Sequence, residues 1–184
     1  IFGADPFDSG EIIHNGKHID SPNPVKMKKV GFALTPEDRK LEGLVQIMSI
    51  KNNLCVASLE KITPGLFINS SIENEFAQRQ VDELNIMVSS LAFPVSSLSG
   101  GNQQKVVIGK WLNANPQIML FDEPSRGIDV NAKQQIFQII WKQSRKGLSS
   151  IVVSSELEEL LEVGHRILIM RLGKITGTVM TENH

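Results

Sequence analysis

The feature that most constrains this fold is an alternation of two hydrophobic patterns after Gly101. Segments whose apolar residues recur every three or four positions, as in helices, alternate with short runs of consecutive apolar residues. Such runs are typical of strands buried on both faces, and their alternation with helices favours a mainly parallel sheet covered on both sides. The pattern predicts helices over 101–114, 131–146 and 156–163, strands over 118–121, 151–153 and 166–170, and a last strand in GKITGTVM.

Three of these helices carry side chains that we expect in the core. Trp111 lies on the apolar face of the first of them. The other expected core residues are Ile136, Phe137, Ile140 and Trp141 in 131–146, and Leu157, Leu160 and Leu161 in 156–163. Acidic side chains favour a helix N-terminus. We therefore predict that Glu156, Glu158 and Glu159 form a solvated start of the last helix.

The residues before Leu98 predict a different organisation. GEIIHNGKHI (Gly10–Ile19) predicts a strand or hairpin around Asn15-Gly16, and the apolar run at 30–34 predicts a buried strand that Pro36 ends. Between 41 and 97, two helical segments flank a Pro-Gly loop, which indicates a helical subdomain inserted into the α/β frame. The predicted division is an N-terminal part of the α/β core at 1–40, the helical subdomain at 41–97, and the helix after Gly101 with the C-terminal core at 98–184.

Composition excludes several classes of protein. The 184 residues carry a formal net charge of −1, so no basic excess suggests a nucleic-acid partner. No run approaches the roughly 20 apolar residues of a membrane span, and a lone Cys55 suits a reducing compartment. The chain begins at Ile1 rather than Met, so we expect a piece of a longer protein. No metal-ligand spacing is shared by His14, His18, His165 and His184.

Two adjacent carboxylates follow the apolar run IMLF. Asp122 and Glu123 stand at the C-terminal end of this predicted strand, where open α/β sheets place their ligands. One carboxylate there could hold the water shell of Mg²⁺, and its neighbour could orient or deprotonate an attacking water. Acidic residues after a strand are also common as helix caps or solvated turns, so this pattern alone decides nothing.

The stretch LSGGNQQKVVIGKWL (Leu98–Leu112) supplies a second, more specific signal. Ser99, Gly100 and Gly101 directly precede an amphipathic helix, whose N-terminus attracts anions through unpaired backbone N–H groups. Glycines let the backbone approach a phosphate closely, and the serine hydroxyl adds one donor. A serine N-cap followed by a glycine turn is the commoner reading of such a stretch. Its position shortly before a strand ending in Asp-Glu favours phosphate binding.

Together LSGGNQQK (Leu98–Lys105), IMLFDEP (Ile118–Pro124) and SRGIDV (Ser125–Val130) resemble the signature, Walker B and D-loop of an ABC-transporter ATPase domain. With LTPEDRKLEGL, SIKNN and VVSSELEEL, the chain resembles the second ATPase half of fused two-domain sugar importers of the ribose, galactose and xylose class. The resemblance extends from about Ile1 to Val179. It implies a RecA-like, P-loop NTPase α/β core with an inserted helical subdomain.

The resemblance also implies roles for individual residues, with ATP and Mg²⁺ as cofactors. Asp122 would assist Mg²⁺ through an intervening water, and Glu123 would be the general base acting on the hydrolytic water. The residues that would contact the nucleotide bound to the opposite half, or line its site, are Ser99, Gly100, Gly101, Gln103 and Asp129. Asp129 would lie in the D-loop, which crosses the interface between the two halves.

Two positions depart from the family pattern. Glu37 stands where most ABC domains carry a glutamine in the loop after the first buried strand. Ser155 stands where they carry the switch histidine, and a serine lacks the imidazole that could contact the γ-phosphate. Both positions belong to the expected nucleotide site. The resemblance therefore implies weak hydrolysis at this half's own site and a main role in donating LSGG to its partner's ATP.

No P-loop occurs in the 184 residues. None of the pairs Gly16-Lys17, Gly109-Lys110 and Gly173-Lys174 has the required upstream glycine or a following Ser or Thr. In the resembled family the P-loop lies just before the segment that matches Ile1. We therefore expect these residues alone neither to bind Mg-ATP usefully nor to hydrolyse it.

The implied partners follow from the same resemblance. They are a first ATPase half, transmembrane permease subunits that would dock around 37–53, and indirectly a periplasmic sugar-binding protein, at the cytoplasmic face of the bacterial inner membrane. Two alternatives stay open. One is a non-catalytic regulatory or structural pseudo-ATPase that keeps LSGG as an interface. The other is an ABC-type DNA-repair ATPase, which would need a long coiled-coil insertion, although the residues before LSGG contain no sustained heptads.

Overall fold

The computed structural model describes residues 1–181, so His184 lies outside the described residues. The strands are β1 (Ile13–His14), β2 (Lys17–His18), β3 (Phe32–Thr35), β4 (Ile118–Asp122), β5 (Ser149–Val153), β6 (Arg166–Arg171) and β7 (Lys174–Met180). The α-helices are α1 (Pro24–Lys29), α2 (Ile50–Cys55), α3 (Leu59–Ile62), α4 (Ser70–Leu84), α5 (Gly100–Leu112), α6 (Val130–Arg145) and α7 (Leu157–Val163). A π-helical turn covers Arg39–Gly43, and 3₁₀ turns cover Val56–Ser58 and Val95–Ser97.

The centre of the fold is a three-stranded parallel sheet in the order β3-β4-β5. Leu120 in the middle strand pairs with Leu34 on one side and with Ile151 on the other. Met119 and Phe121 of β4 are almost completely buried, as consecutive apolar residues in a central strand should be. These strands and the helices between them confirm the predicted α/β class with a mainly parallel core.

The predicted strand at 166–170 forms, but it does not extend the parallel sheet. Instead β6 pairs antiparallel with β7, with Arg171 opposite Lys174. The two residues between them, Leu172 and Gly173, both have positive φ angles, 49° and 74°. A two-residue loop of this kind matches the twist of an antiparallel hairpin, which explains the pairing. The same geometry occurs at Asn15-Gly16, where the predicted β1–β2 hairpin is confirmed.

The region between β3 and α5 is helical, and its helices pack on α5. Leu54 of α2, Ile62 of α3 and Leu84 of α4 are buried in the cluster that also contains Ile108 of α5. A side chain at Gly109 would lie 2.9 Å from Leu54 Cδ2. This glycine therefore allows α5 to approach α2 closely. The division of the chain into three parts stays a prediction.

A smaller apolar cluster lies on the other side of the sheet. It contains Phe2, Met27 and Phe32, with Trp111 packed against it in an edge-to-face contact 5.7 Å from the Phe2 ring. Met27 belongs to α1, a helix that the sequence analysis did not predict. Its signals were the Asn23 N-cap followed by a proline at the first helical position.

The prediction for α7 was wrong in its orientation. Leu157 and Leu161, which we expected in the core, are 60% and 45% exposed, whereas Glu159 is only 2% exposed. Ile151 and Val153 on the neighbouring β5 are exposed as well. The face of α7 that is turned inward carries Glu159 and Val163, with Leu160 half-buried beside them. No helix within the described residues has the length and apolarity needed to cross a membrane.

Candidate functional site

The two carboxylates predicted to carry chemistry lie at the C-terminal end of β4, as the sequence pattern indicated. Glu123 has a φ of 43°, which is uncommon for a residue with a side chain. Its amide donates to the Val153 carbonyl at 2.9 Å, and its Oε1 accepts from the Ser155 amide at 2.8 Å. The loop after β5 therefore holds the Glu123 carboxylate through a backbone N–H. Asp122 is half-buried beside it.

Behind this pair lies a buried network centred on Glu159, which the sequence analysis had placed in solvent. Its two carboxylate oxygens accept from the Ser125 hydroxyl at 2.6 Å and from the Ser154 hydroxyl at 2.7 Å. Lys133 of α6 forms an ion pair with the same carboxylate at 2.7 Å. Glu159 therefore joins the loop after β4 to the loop after β5. One sequence signal could have found it, because Glu159 lies four positions before Val163, which is also buried.

The charge state of Glu159 makes stability depend on pH. Burial alone would raise the pKa of this carboxyl, but hydrogen bonds from Lys133, Ser125 and Ser154 outweigh burial and hold the pKa below its ordinary value. Its stabilising contribution is therefore complete above the ordinary pKa and is lost as the pH falls through the lowered pKa of the folded state. We expect the urea midpoint to fall as the pH drops below the ordinary carboxyl value of 4.5 and through the lowered pKa of Glu159.

The matched control for this prediction is Glu159→Gln, which keeps the size of the side chain but cannot titrate. Urea unfolding of both proteins across the same pH series isolates the contribution of Glu159 from that of other carboxyl groups. The variant should lose less stability on acidification than the wild type. Parallel pH profiles for the two proteins would contradict the assignment.

The Ser99–Gly101 turn begins α5. Ser99 is exposed, and its hydroxyl accepts from the Asn102 amide at 3.5 Å and from Asn102 Nδ2 at 3.1 Å. A Cβ at Gly101 would lie 2.5 Å from Ala132 Cβ, and one at Gly100 would lie 2.8 Å from a terminal nitrogen of Arg39. Glycine at 101 therefore lets α5 and α6 approach closely. The turn leaves an exposed serine at the N-terminus of α5, and helix N-termini favour anions.

A groove of about 580 Å³ collects several of the predicted residues. Gly101 of α5 and its N-cap Ser99 line this groove, as does Asp129, the N-cap of α6, whose carboxylate accepts from the Ala132 amide at 2.9 Å. The side-chain amide of Gln103 does not line this groove. Its side chain is buried and donates to the Leu98 carbonyl at 3.0 Å, so in this structure it holds the residues before Ser99 in place.

Glu37 lies after β3, apart from both the strand-end carboxylates and the groove. Its carboxylate forms an ion pair with Arg126, in the loop between Glu123 and Asp129. The expected site residues are thus brought together as two groups, with Asp122, Glu123 and Ser155 at the strand ends and Ser99, Gly101 and Asp129 around the groove. Glu37 is connected to the loop that runs between these groups. The sequence analysis did not foresee this ion pair, because it joins residues far apart in the chain.

Solved structures resemble the fold closely. A nucleotide-free ATP-binding cassette from an ABC transporter superposes with a TM-score of 0.77 at 22% identity, covering 99% of this chain and 74% of that chain. A dimeric ATP-binding cassette in a post-hydrolysis state, bound to ADP and Pi, gives 0.78 at 18% identity, covering 96% and 75%. At these identities the likeness shows the shared fold alone.

Curated relatives are more similar in sequence. The ribose import ATP-binding protein RbsA of Bacillus cereus is 43% identical over 177 residues, which is 96% of this chain and 36% of that protein. A putative ribose/galactose/methyl galactoside import ATP-binding protein of Rhizobium etli is 41% identical over 177 residues, covering 96% and 34%. The chain thus spans about a third of the length of these relatives. A family model described as ABC transporter matches residues 1–126, and the chain therefore belongs to the ABC transporter family.

Proposed function

We propose that this chain is part of the second ATPase half of an ABC importer for a sugar. The observation that carries the proposal is the Ser99–Gly101 turn, which places an exposed serine at the N-terminus of α5 and at the edge of a groove. The relatives named as ribose import ATP-binding proteins support the substrate class. In the intact protein, this turn would contact the γ-phosphate of an ATP molecule held by the first half.

The strand-end carboxylates would serve this half's own nucleotide. Mg²⁺ would neutralise phosphate charge there, and Asp122 fits its water shell because its carboxylate makes no hydrogen bond or ion pair within residues 1–181. Glu123 would act as the general base. The backbone N–H of Ser155 holds Glu123, and no imidazole stands at that position to orient a water. We therefore propose slow hydrolysis at this site and a main role in completing the partner site.

The permease subunits would dock on the surface beside the π-helical turn. Leu41 and Ile47 are 83% and 88% exposed there, and an apolar surface of this kind suits a protein partner. A chain docked in this way would lie peripherally on the cytoplasmic face of a bacterial inner membrane. Its partners would be the first ATPase half and the permease, with a periplasmic sugar-binding protein acting through the permease.

The test of this proposal is Ser99→Ala in the intact transporter. We expect ATP hydrolysis to fall about tenfold or more, because a hydrogen bond to a charged phosphate is worth about 1.5–3 kcal/mol. The measurement is steady-state ATP hydrolysis by the purified transporter in lipid vesicles. Ser96→Ala is the matched control, since Ser96 is also exposed and lies three residues earlier.

The same experiment distinguishes the proposed function from the alternative of a structural pseudo-ATPase. A pseudo-ATPase half that keeps LSGG only as an interface would assemble with its partners and hydrolyse ATP at the wild-type rate after Ser99→Ala. Ser155 in place of the switch histidine is the observation that favours this alternative. Wild-type hydrolysis and transport in the variant would therefore overturn the signature-donating proposal.

A further inference from the structure

A cavity of about 840 Å³ lies at the N-terminal ends of β4 and β5. Ile118 and Ser149, the first residues of these strands, form part of its wall, and α4 and the ends of α5 and α6 complete it. Asp122 and Glu123 stand at the opposite end of β4, roughly 13 Å away along the strand. The cavity is therefore separate from the candidate nucleotide site. We call it the basal cavity.

Positive charge predominates in the wall of the basal cavity. Lys61 Nζ donates to two backbone carbonyls at the end of α5, at 3.0 and 2.9 Å, and a terminal nitrogen of Arg79 donates to Asn113 Oδ1 at 2.9 Å. These acceptors are neutral oxygen atoms. Lys146, by contrast, pairs with the Glu83 carboxylate at 3.3 Å. Among residues 1–181 that line the cavity, three lysine and arginine side chains thus face one carboxylate.

The ends of α5 and α6 offset part of this charge. Each helix C-terminus carries about half a negative charge, so the two together cancel roughly one of the two uncompensated positive charges. An excess of about one positive charge remains. Burial lowers the pKa of Lys61, and the charge of Arg79 lowers it further, although Glu60 acts in the opposite direction. Arg79 and Lys61 therefore repel each other, and an anion between them would relieve the repulsion.

Two buried glutamines in the wall carry polar atoms that lack a partner. Gln143 is 7% exposed, and its side-chain nitrogen makes no hydrogen bond to any atom of residues 1–181. Gln80 is 2% exposed, and its Nε2 donates to Asn113 Oδ1 at 3.0 Å, whereas its Oε1 accepts from no donor in the same residues. Buried polar groups in native proteins are nearly always hydrogen-bonded. Such atoms in the wall of a cavity indicate a bound polar molecule.

Exposed amide side chains extend the polar wall. Asn115 and Gln117 line the cavity, as does Asn15, whose Nδ2 donates to Gln117 Oε1 at 3.4 Å. Amide groups both donate and accept, which suits hydroxyl groups, whereas guanidinium and ammonium groups suit phosphate. The volume is larger than inorganic phosphate would fill and lies within the range of small-molecule sites. The wall therefore favours a ligand that carries both a phosphate and several hydroxyl groups.

From this arrangement we propose that the basal cavity binds a phosphorylated sugar. The phosphate lies against Arg79 and Lys61, where the uncompensated positive charge is found. The sugar hydroxyls lie against the amide groups of Gln117 and Gln143. The site uses neither the strand-end carboxylates nor the Ser99–Gly101 turn, so nucleotide and sugar phosphate bind without competing. The inference goes beyond the proposed function and does not depend on it.

The test titrates ribose 5-phosphate into the intact two-half ATPase by calorimetry, with the nucleotide sites saturated by Mg-ADP. We expect a Kd of about 1 mM or lower, because charge-assisted hydrogen bonds to a phosphate are among the stronger ones. Arg79→Gln should weaken binding at least about tenfold. Arg145→Gln is the matched control, since Arg145 is exposed in the last turn of α6, lies outside the cavity and carries the same charge. It should stay within about twofold of the wild type.

A second variant keeps every cation in place. Gln117→Glu changes the net charge by the same amount as Arg79→Gln and Arg145→Gln, but it adds a negative charge at an exposed position in the cavity wall. Binding of ribose 5-phosphate should weaken at least about fivefold through like-charge repulsion.

The comparison ligands are ribose, which lacks the phosphate, and inorganic phosphate, which lacks the sugar. Each should bind at least about tenfold more weakly than ribose 5-phosphate, since each loses one of the two sets of contacts. No detectable binding of ribose 5-phosphate at about 10 mM, or equal weakening in Arg145→Gln and Arg79→Gln, would overturn the inference. Equal affinities for inorganic phosphate and ribose 5-phosphate would also overturn it, because the sugar would then make no contact.

Discussion

Replacing Glu159 by alanine should lower the free energy of unfolding by about 3 kcal/mol. The substitution breaks a buried ion pair and leaves the hydrogen-bond donors around Glu159 without their acceptor. Ser125 is 6% exposed and would keep no acceptor for its hydroxyl at this position. Ser154 would lose its acceptor as well, while Lys133 would keep only its pair with Glu156 at 2.7 Å. Urea unfolding at neutral pH measures the change.

The neighbouring Glu158 offers a matched control on the same helix. Glu158 is exposed, so Glu158→Ala should change stability by less than about 0.5 kcal/mol. Equal effects of the two substitutions would contradict the buried network. The comparison also tests how Glu123 is held, because the loop that Glu159 fixes through Ser154 supplies the Ser155 amide.

Much of the fold could be predicted because short runs of consecutive apolar residues mark its parallel strands, although only β4 of the two named below is largely buried. The runs at 118–121 and 151–153 are consecutive apolar residues, and they correspond to β4 and β5. The helices between them show clear periodicity, since Ile136, Phe137 and Ile140 are all buried. The antiparallel pairing of β6 was not predicted, because a run of apolar residues carries no information on strand direction. The turn at Leu172-Gly173 decided that direction.

The candidate site, like the fold, could be predicted only in part. Short motifs placed Ser99 at a helix start and Asp122 and Glu123 at a strand end, because each motif contains its own local geometry. Glu159 and Arg39 escaped prediction because their partners are distant in sequence. Ser125 is 34 positions from Glu159, and Arg126 is 87 positions from Arg39. The spacing of Glu159 from the buried Val163 indicates burial but does not identify these partners, and no pattern within the turn at Arg39 encodes its contact.

The largest effect that we expect concerns nucleotide binding by the 184 residues alone. Titrating this chain with Mg-ATP should give no detectable binding below millimolar nucleotide, since its sequence contains no GxxxxGK[ST] loop. A P-loop supplies several hydrogen bonds to charged phosphates, each worth about 1.5–3 kcal/mol. Without three of them, affinity should fall by at least about three decades, because each factor of ten is about 1.4 kcal/mol.

Isothermal titration calorimetry measures this directly, and the intact two-half ATPase is the positive control. The helix N-terminus at Ser99 cannot replace the missing contacts, because one helix terminus contributes only about 0.3–1 kcal/mol to an exposed anion. Binding by the intact ATPase but not by the 184 residues would support the proposal that the Ser99–Gly101 turn completes the nucleotide site of the partner half. Micromolar binding by the 184 residues would show a phosphate site built from other residues. The proposal that this half mainly completes the ATP site of its partner would then be wrong.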